Sequence, residues 1–271
     1  MLAKSAFVPC AFTQPPFAGK PNDPFKIPYF QFPQLSQYAD LAHAVFTRRG
    51  GVSPPPFDTL NTSFSTGDQE DRVGANLKRI KHAMGAKRLI FMNQVHGTGI
   101  WVLRKARPHL SDQPVQADAV ITDLQDVAIM VKQADCQAVI LFDPGKRVVA
   151  NVHCGWRGNT HDFLATVLKR MKTEFGVEPA DLRAAIGPSL GPCCAEFVTH
   201  RKLFPQLFSR FMVRKDYFDL WKISRWQLVE AGLSEDHIEI AGMCTRCRTD
   251  FFYSYRAEKV TGRSATVAML R

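Results

Sequence analysis

Residues 134–158, ADCQAVILFDPGKRVVANVHCGWRG, decide how the chain is built. Two apolar runs rich in β-formers, Gln137 to Phe142 and Arg147 to Val152, flank Asp143-Pro144-Gly145-Lys146, and a Pro-Gly centre is a strong turn signal. The pattern predicts a β-hairpin. With a loop symmetric about Pro144-Gly145, Asp143 faces Lys146, Phe142 faces Arg147 and Cys136 faces His153. Opposed residues in an antiparallel pair have Cβ atoms roughly 4.5–5.5 Å apart, so thiol and imidazole could share one metal ion or one proton. Both faces of the hairpin are apolar, with Ala138, Ile140 and Phe142 on one parity and Val139 and Leu141 on the other. That places it centrally in a sheet covered on both sides. Cys is often a small buried hydrophobe, and a strand-end His is often structural. Asp135 beside the Cys and Gly155-Trp156-Arg157-Gly158 after the His favour chemistry.

Outward from the hairpin, the pattern alternates short strands with helices. Strands are expected at 42–46, 89–91, 100–103, 117–122, 127–131, 183–186, 238–241, 251–256 and 264–270. Val73, Leu77, Ile80 and Met84 repeat at helical spacing and Gly85 stops them; Leu164 to Phe175, closed by Gly176, repeats the pattern. Further helices are expected at 199–211, broken near Pro205, and at 219–233. The segment Gly187 to Cys194 has too much Gly and Pro for regular structure and reads as a rigid loop over the site. The fold class is α+β: a single domain with mixed, largely antiparallel sheets flanked by helices. Residues 1–27, rich in Pro and Phe without periodicity, read as an extended or disordered arm, and residues 28–271 as the domain.

With 271 residues, 45% of them hydrophobic, the chain can bury a substantial core. No apolar run approaches the ~20 residues that span a bilayer, and the N-terminus makes a poor signal peptide, so a cytoplasmic location without membrane partners is expected. The net charge of +10 suits an anionic partner. Because the basic residues are scattered, phosphate or a nucleoside phosphate fits better than nucleic acid. Seven cysteines form no even framework and read as reduced thiols. The CxxC at Cys244-Thr245-Arg246-Cys247 has no second pair spaced to complete a zinc site, and reads as an ordinary loop.

Other segments add candidate residues. Thr47-Arg48-Arg49-Gly50-Gly51 places arginines beside glycines that let a backbone approach an anion, which nominates Arg48. His96 lies at a strand junction beside Gly97. Arg157 lies near the N-terminus of a helix, where free N–H groups favour an anion.

Taken together, Thr47 to Ser53, Asn93-Gln94-Val95-His96-Gly97, Ala117-Asp118-Ala119, Ala134-Asp135-Cys136, His153 to Gly158, Ile186-Gly187-Pro188, Gly191 to Cys194 and Phe252 to Arg256 resemble the laccase-domain, or polyphenol-oxidase-like, family of purine nucleoside phosphorylases. The resemblance implies a metal, zinc rather than copper, on His96, Cys136 and His153. It implies phosphorolysis of adenosine, inosine, guanosine or 5′-methylthioadenosine, with adenosine deamination also in the repertoire. Purine nucleoside and phosphate are then the partners. Arg48 is the expected phosphate clamp, Asp135 positions a proton or a ligand, and Asn93 and Arg157 contact substrate. Cys154 adds a second thiol near His153, which strand parity turns to the opposite face.

Three other classes are open to the same residues. A metal-free hydrolase or deamidase would use Cys136 as nucleophile and His153 or His96 as base. A copper phenol oxidase is disfavoured, because one His/Cys/His set cannot supply several coppers. A non-enzymatic anion or nucleic-acid binder would show tight, salt-dependent binding without turnover.

Overall fold

The computed structural model describes residues 24, 25, 27–105 and 115–271. Its strands, in chain order, are β1 (Tyr29–Phe30), β2 (Leu41–Phe46), β3 (Arg88–Phe91), β4 (Ile100–Leu103), β5 (Ala119–Thr122), β6 (Val127–Gln133) and β7 (Gln137–Asp143). They continue with β8 (Val148–Cys154), β9 (Arg183–Ile186), β10 (Met212–Arg214), β11 (Tyr217–Phe218), β12 (Ile238–Ile240) and β13 (Ser264–Leu270). One sheet has the order β1-β2-β13-β6-β3, a second β12-β9-β7-β8-β5-β4, and β10 pairs with β11 apart from both. Among the described strand pairs, β3–β6, β4–β5 and β9–β12 are parallel and the rest antiparallel, so the mixed, largely antiparallel α+β expectation holds.

Strand periodicity accounts for the layering. On β7 and β8, Ile140, Phe142 and Val149 face inward and meet Val45, Ile129, Val131 and Ala268 of the other sheet. Val139, Leu141, Val148, Ala150 and Val152 face outward onto Phe163, Leu164, Val167, Leu168 and Met171 of helix Phe163–Phe175. The outer face of the five-stranded sheet, through Ala44, Phe46, Met130 and Val267, packs on Val73, Leu77, Ile80 and Met84 of helix Glu70–Met84. The order is helix, sheet, sheet, helix. Each apolar stripe therefore has a partner, and both strands of the hairpin are buried along their whole length. Gly85, in the left-handed region at φ 67°, ends the first helix by donating its N–H to the His82 and Lys81 carbonyls.

The hairpin register differs from the symmetric expectation. Asp143 pairs with Val148, and Ala138, not Cys136, stands opposite His153. The Asp143 carboxylate accepts the Lys146 N–H at 2.8 Å and Arg147 takes a positive φ of 52°, so the loop holds four residues, 144–147. A shift of two preserves parity. Cys136 therefore still lies on the His153 face, one residue before β7.

Two other expectations change. Residues 251–256 are not a strand: Ser254 caps a short helix, Tyr255–Glu258, by accepting the Ala257 N–H, and Phe251 and Phe252 are buried in the inter-sheet core. The 199–211 segment divides at Pro205 as expected, but its second half, Gln206–Phe211, is 3-10 helix. The arm expected over residues 1–27 lies outside the described residues apart from its last part, where Ile27 is fully buried in the core. Among the described residues, no helix is long and apolar enough to cross a membrane.

Asn151 ties the two sheets together. On the inward face of β8, its amide donates to the Ile129 and Thr266 carbonyls of the opposite sheet at 3.0 and 2.9 Å. Replacing it by alanine removes two buried hydrogen bonds, and Asn151→Ala is expected to lower unfolding free energy in urea by about 1–3 kcal/mol while the fold persists.

Candidate functional site

The inward faces of β6 and β8 end at a cavity of about 490 Å³, whose walls include Gln133, Cys136, His153, His96, Leu190 and Arg263. His153 comes from the last turn of the pleat in β8, Cys136 from the segment entering β7, and His96 from the loop between β3 and β4. One ligand atom from each lies within 4.8 Å of the others, so the set could hold a metal ion. Cys136 Sγ is 3.7 Å from His96 Nε2.

Asp118, wholly buried just before β5, arranges these groups. Its carboxylate accepts the His153 Nδ1–H at 2.8 Å, which orients the ring and aims Nε2 at the cavity. The same carboxylate accepts the backbone N–H groups of Val95, His96 and Gly97 at 3.3, 3.0 and 2.8 Å. Burial alone would raise the Asp118 pKa, but the hydrogen bonds from His153 and Gly97 leave it below the usual carboxylate value. The loop carrying His96 needs that anchor, because His96 has φ 59°, a backbone state that costs a non-glycine residue energy.

Charge in the site is paired. Burial works to raise the Cys136 pKa, yet His153 and His96 bring it down to about 6. Burial likewise opposes protonation of His153, while Cys136 and Asp118 raise its pKa to about 9. A thiolate stabilised beside imidazoles is a ready metal donor. The other nearby sulfur is not: Cys154 is fully buried on the outer face of β8, and burial pushes its pKa far up. Gly155 is required by closeness, since a Cβ there would stand 2.7 Å from Cys136 Sγ.

The structure does not bring every expected residue to the cavity. The Arg48 guanidinium is engaged elsewhere: it donates to Glu258 at 2.8 Å, to Asp58 at 3.4 Å and to the Asp58 and Thr249 carbonyls, and it lies 4.5 Å from the centre of the Tyr253 ring. Arg48 thus joins distant loops with four of its five N–H groups engaged, and it does not line the cavity. Asp135 does line the cavity, but its carboxylate accepts the Thr245 and Ser254 hydroxyls at 2.7 Å each and the Arg256 N–H at 2.6 Å. That arrangement fixes the chain entering Cys136 and leaves the carboxylate little scope to move a proton. Asn93 and Arg157 sit exposed on the cavity wall, with the Arg157 guanidinium 4.7 Å from the Trp156 ring centre.

Sequence reading missed two cations. Lys132 and Arg263 line the cavity, and among the described residues no carboxylate lies within ion-pairing distance of either. Burial, with Arg263 nearby, lowers the Lys132 pKa to about 8. Lys132 is the one charged residue in the apolar run of β6, a signal available in the sequence; Arg263 carries no comparable mark.

Residues 42–271 match the family model described as multi-copper polyphenol oxidoreductase laccase. The chain belongs to that family. It is 31% identical over 246 residues to a protein of Escherichia coli K12 named purine nucleoside phosphorylase YfiH, covering 88% of this chain and 97% of that protein. A Bacteroides thetaiotaomicron protein named purine nucleoside phosphorylase is 29% identical over 243 residues, covering 83% and 89%. Among solved structures, YlmD from Geobacillus stearothermophilus superposes with a TM-score of 0.82 at 27% identity, covering 94% of this chain and 98% of that one. In this family member, Asp118→Asn leaves one good acceptor where a carboxylate served four donors. Its metal affinity in a competition titration is expected to fall about 10–100-fold with secondary structure retained.

Proposed function

We propose that the protein is a zinc-dependent purine nucleoside phosphorylase that cleaves adenosine, inosine, guanosine or 5′-methylthioadenosine with phosphate, releasing free base and a ribose 1-phosphate. The observation that carries this reading is the convergence of His96, Cys136 and His153 on a cavity of nucleoside size that also holds two cations, Lys132 and Arg263, with no carboxylate partner among the described residues. The names of the relatives support it. One thiolate and two imidazoles suit zinc, which would supply a Lewis acid there when bound. The several coppers of a phenol oxidase would need donors that this set does not contain.

The chain's own residues account for the rest. Phosphorolysis of an N-glycosidic bond develops positive charge on the sugar and negative charge on the departing purine, so anion binding must sit on one side and polar contacts on the other. Lys132 and Arg263 hold phosphate in place of Arg48. Gln133, buried on the cavity wall with neither amide atom hydrogen-bonded to protein, offers a donor and an acceptor to a purine edge. Trp156, Phe197 and Tyr255 supply an aromatic wall, and Asn93 and Arg157 reach the substrate from the rim. Asp135 acts by position, holding Cys136 and the N-terminus of helix Tyr255–Glu258 together.

A second reading has one observation in its favour. Cys136, His153 and Asp118 are arranged as nucleophile, base and orienting carboxylate, the order of a metal-free Cys–His hydrolase. Chelator-insensitive hydrolysis together with trapping of Cys136 by iodoacetamide would select it.

Incubation with inosine or adenosine is expected to release free base and ribose 1-phosphate only when phosphate is present; base release without phosphate, or none, contradicts the proposal. An ammonia assay on the same samples reports deamination. His96→Ala or Cys136→Ala is expected to abolish release while the circular dichroism spectrum persists. Lys132→Ala is expected to raise the phosphate KM roughly tenfold. Since Lys132 is cationic only below its lowered pKa of about 8, the wild-type phosphate KM should climb as pH rises through that value, and the alanine variant should flatten the climb.

A further inference from the structure

Four cysteines outside this site converge at one end of the six-stranded sheet. Because β9 and β12 are parallel neighbours, the loops that leave them emerge side by side. The first carries Cys193 and Cys194, the second Cys244 and Cys247. We propose that these four sulfurs form a tetrathiolate site that holds one structural zinc ion, separate from the His96, Cys136 and His153 centre.

The geometry is that of donors around a shared ion. Cys193 Sγ and Cys194 Sγ lie 3.6 and 3.5 Å from Cys247 Sγ, and all four sulfurs fall within 4.8 Å of one another. Sulfurs bound at about 2.3 Å around a tetrahedral zinc stand about 3.8 Å apart. A disulfide needs about 2.05 Å, and Cys247 is almost equidistant from two sulfurs, which suits a common ligand better than either bond. Hydrophobic packing does not explain the cluster, since Cys247 is exposed and Cys193 and Cys194 are half-buried.

The backbone around the sulfurs is shaped for such a site. Ser189 N–H donates to the Met243 carbonyl at 3.1 Å and Thr245 N–H to the Ser189 carbonyl at 3.0 Å, stitching the loops together. Each loop also turns back on itself, with Cys194 N–H donating to the Gly191 carbonyl and Arg248 N–H to the Cys244 carbonyl. The Gly191 N–H points at Cys244 Sγ at 3.3 Å, a contact that steadies a thiolate. Gly191 itself has no room for a side chain: a Cβ would stand 2.8 Å from the Trp221 ring and 2.9 Å from Cys244 Cβ. The expectation that the CxxC lacked a second pair is thus corrected, because the fold supplies one from about fifty residues away.

Position gives the site its role. Leu190, beside Gly191, donates its N–H to the Asp135 carbonyl at 2.8 Å, and Thr245, beside Cys244, donates its hydroxyl to the Asp135 carboxylate. An ion on the four sulfurs braces the wall that holds Asp135, and through it Cys136.

The test counts metal in the full chain with the first centre removed. A His96→Ala, Cys136→Ala double variant, purified under reductant, loaded with zinc and desalted, is expected to retain one zinc per chain by mass spectrometry. Cobalt in place of zinc should give the intense visible bands and thiolate charge transfer of a tetrahedral sulfur site. Adding Cys247→Ser, which alters an exposed position and spares the core, should remove that equivalent and the bands while circular dichroism stays native. The proposal is overturned by a folded double variant that keeps no zinc and whose four thiols react at once with Ellman's reagent, or by disulfide-linked peptides joining these cysteines in protein held in excess zinc.

Discussion

Four hydrogen bonds end on the buried carboxylate of Asp118, and the candidate site depends on them. One comes from the ring of His153 and three from the backbone around His96, residues that are 57 positions apart and belong to different elements. A single anion thus sets the ring orientation of one imidazole and the backbone path of the other. The carboxylate itself is placed by the sheet: the Asp118 carbonyl accepts the His153 N–H at 2.7 Å, just beyond the last pair of the β5–β8 ladder. Register in the sheet becomes geometry at the site.

The layers explain why the site can be both buried and open. Two sheets face each other across an apolar core, and each is covered outside by a helix, so the hairpin strands have no exposed edge or face. At the end of β6, β7 and β8 the apolar side chains give way to Gln133, Cys136 and His153, and the inter-sheet space widens into the cavity. Loops then close it, held through Asp135, whose side chain and carbonyl bind three separate segments. Asp135 and His96, both with positive φ, mark the two places where the backbone leaves its easy conformations beside the candidate metal-holding set.

Much of this was legible from residue order. Continuous apolar runs of alternating parity around Pro144-Gly145 announced a central hairpin, and Gly85 and Gly176 marked helix ends that the structure places at those residues. The register was two residues out because Pro-Gly suggested a two-residue turn, whereas Asp143 and the positive φ of Arg147 make a longer one. Parity survived, so Cys136 and His153 stayed on one face. What the sequence concealed was long-range: the carboxylates that pair with Arg48 are Asp58 and Glu258, 10 and 210 residues away, and no local pattern says that they hold it away from the cavity. Cys193-Cys194 and Cys244-Cys247 were equally opaque, since their meeting follows from the parallel pairing of β9 with β12. Asp118 stood within a recognised motif, but only the fold shows which donors it serves.

Anomalous diffraction at the zinc edge from zinc-loaded crystals tests the central claim most directly. The account predicts an ion bonded to His96 Nε2 and His153 Nε2 at about 2.0–2.1 Å and to Cys136 Sγ at about 2.3 Å, with the Asp118 to His153 hydrogen bond kept. Zinc-loaded crystals with no anomalous density among these three atoms, or with His153 turned away from Asp118, would contradict it.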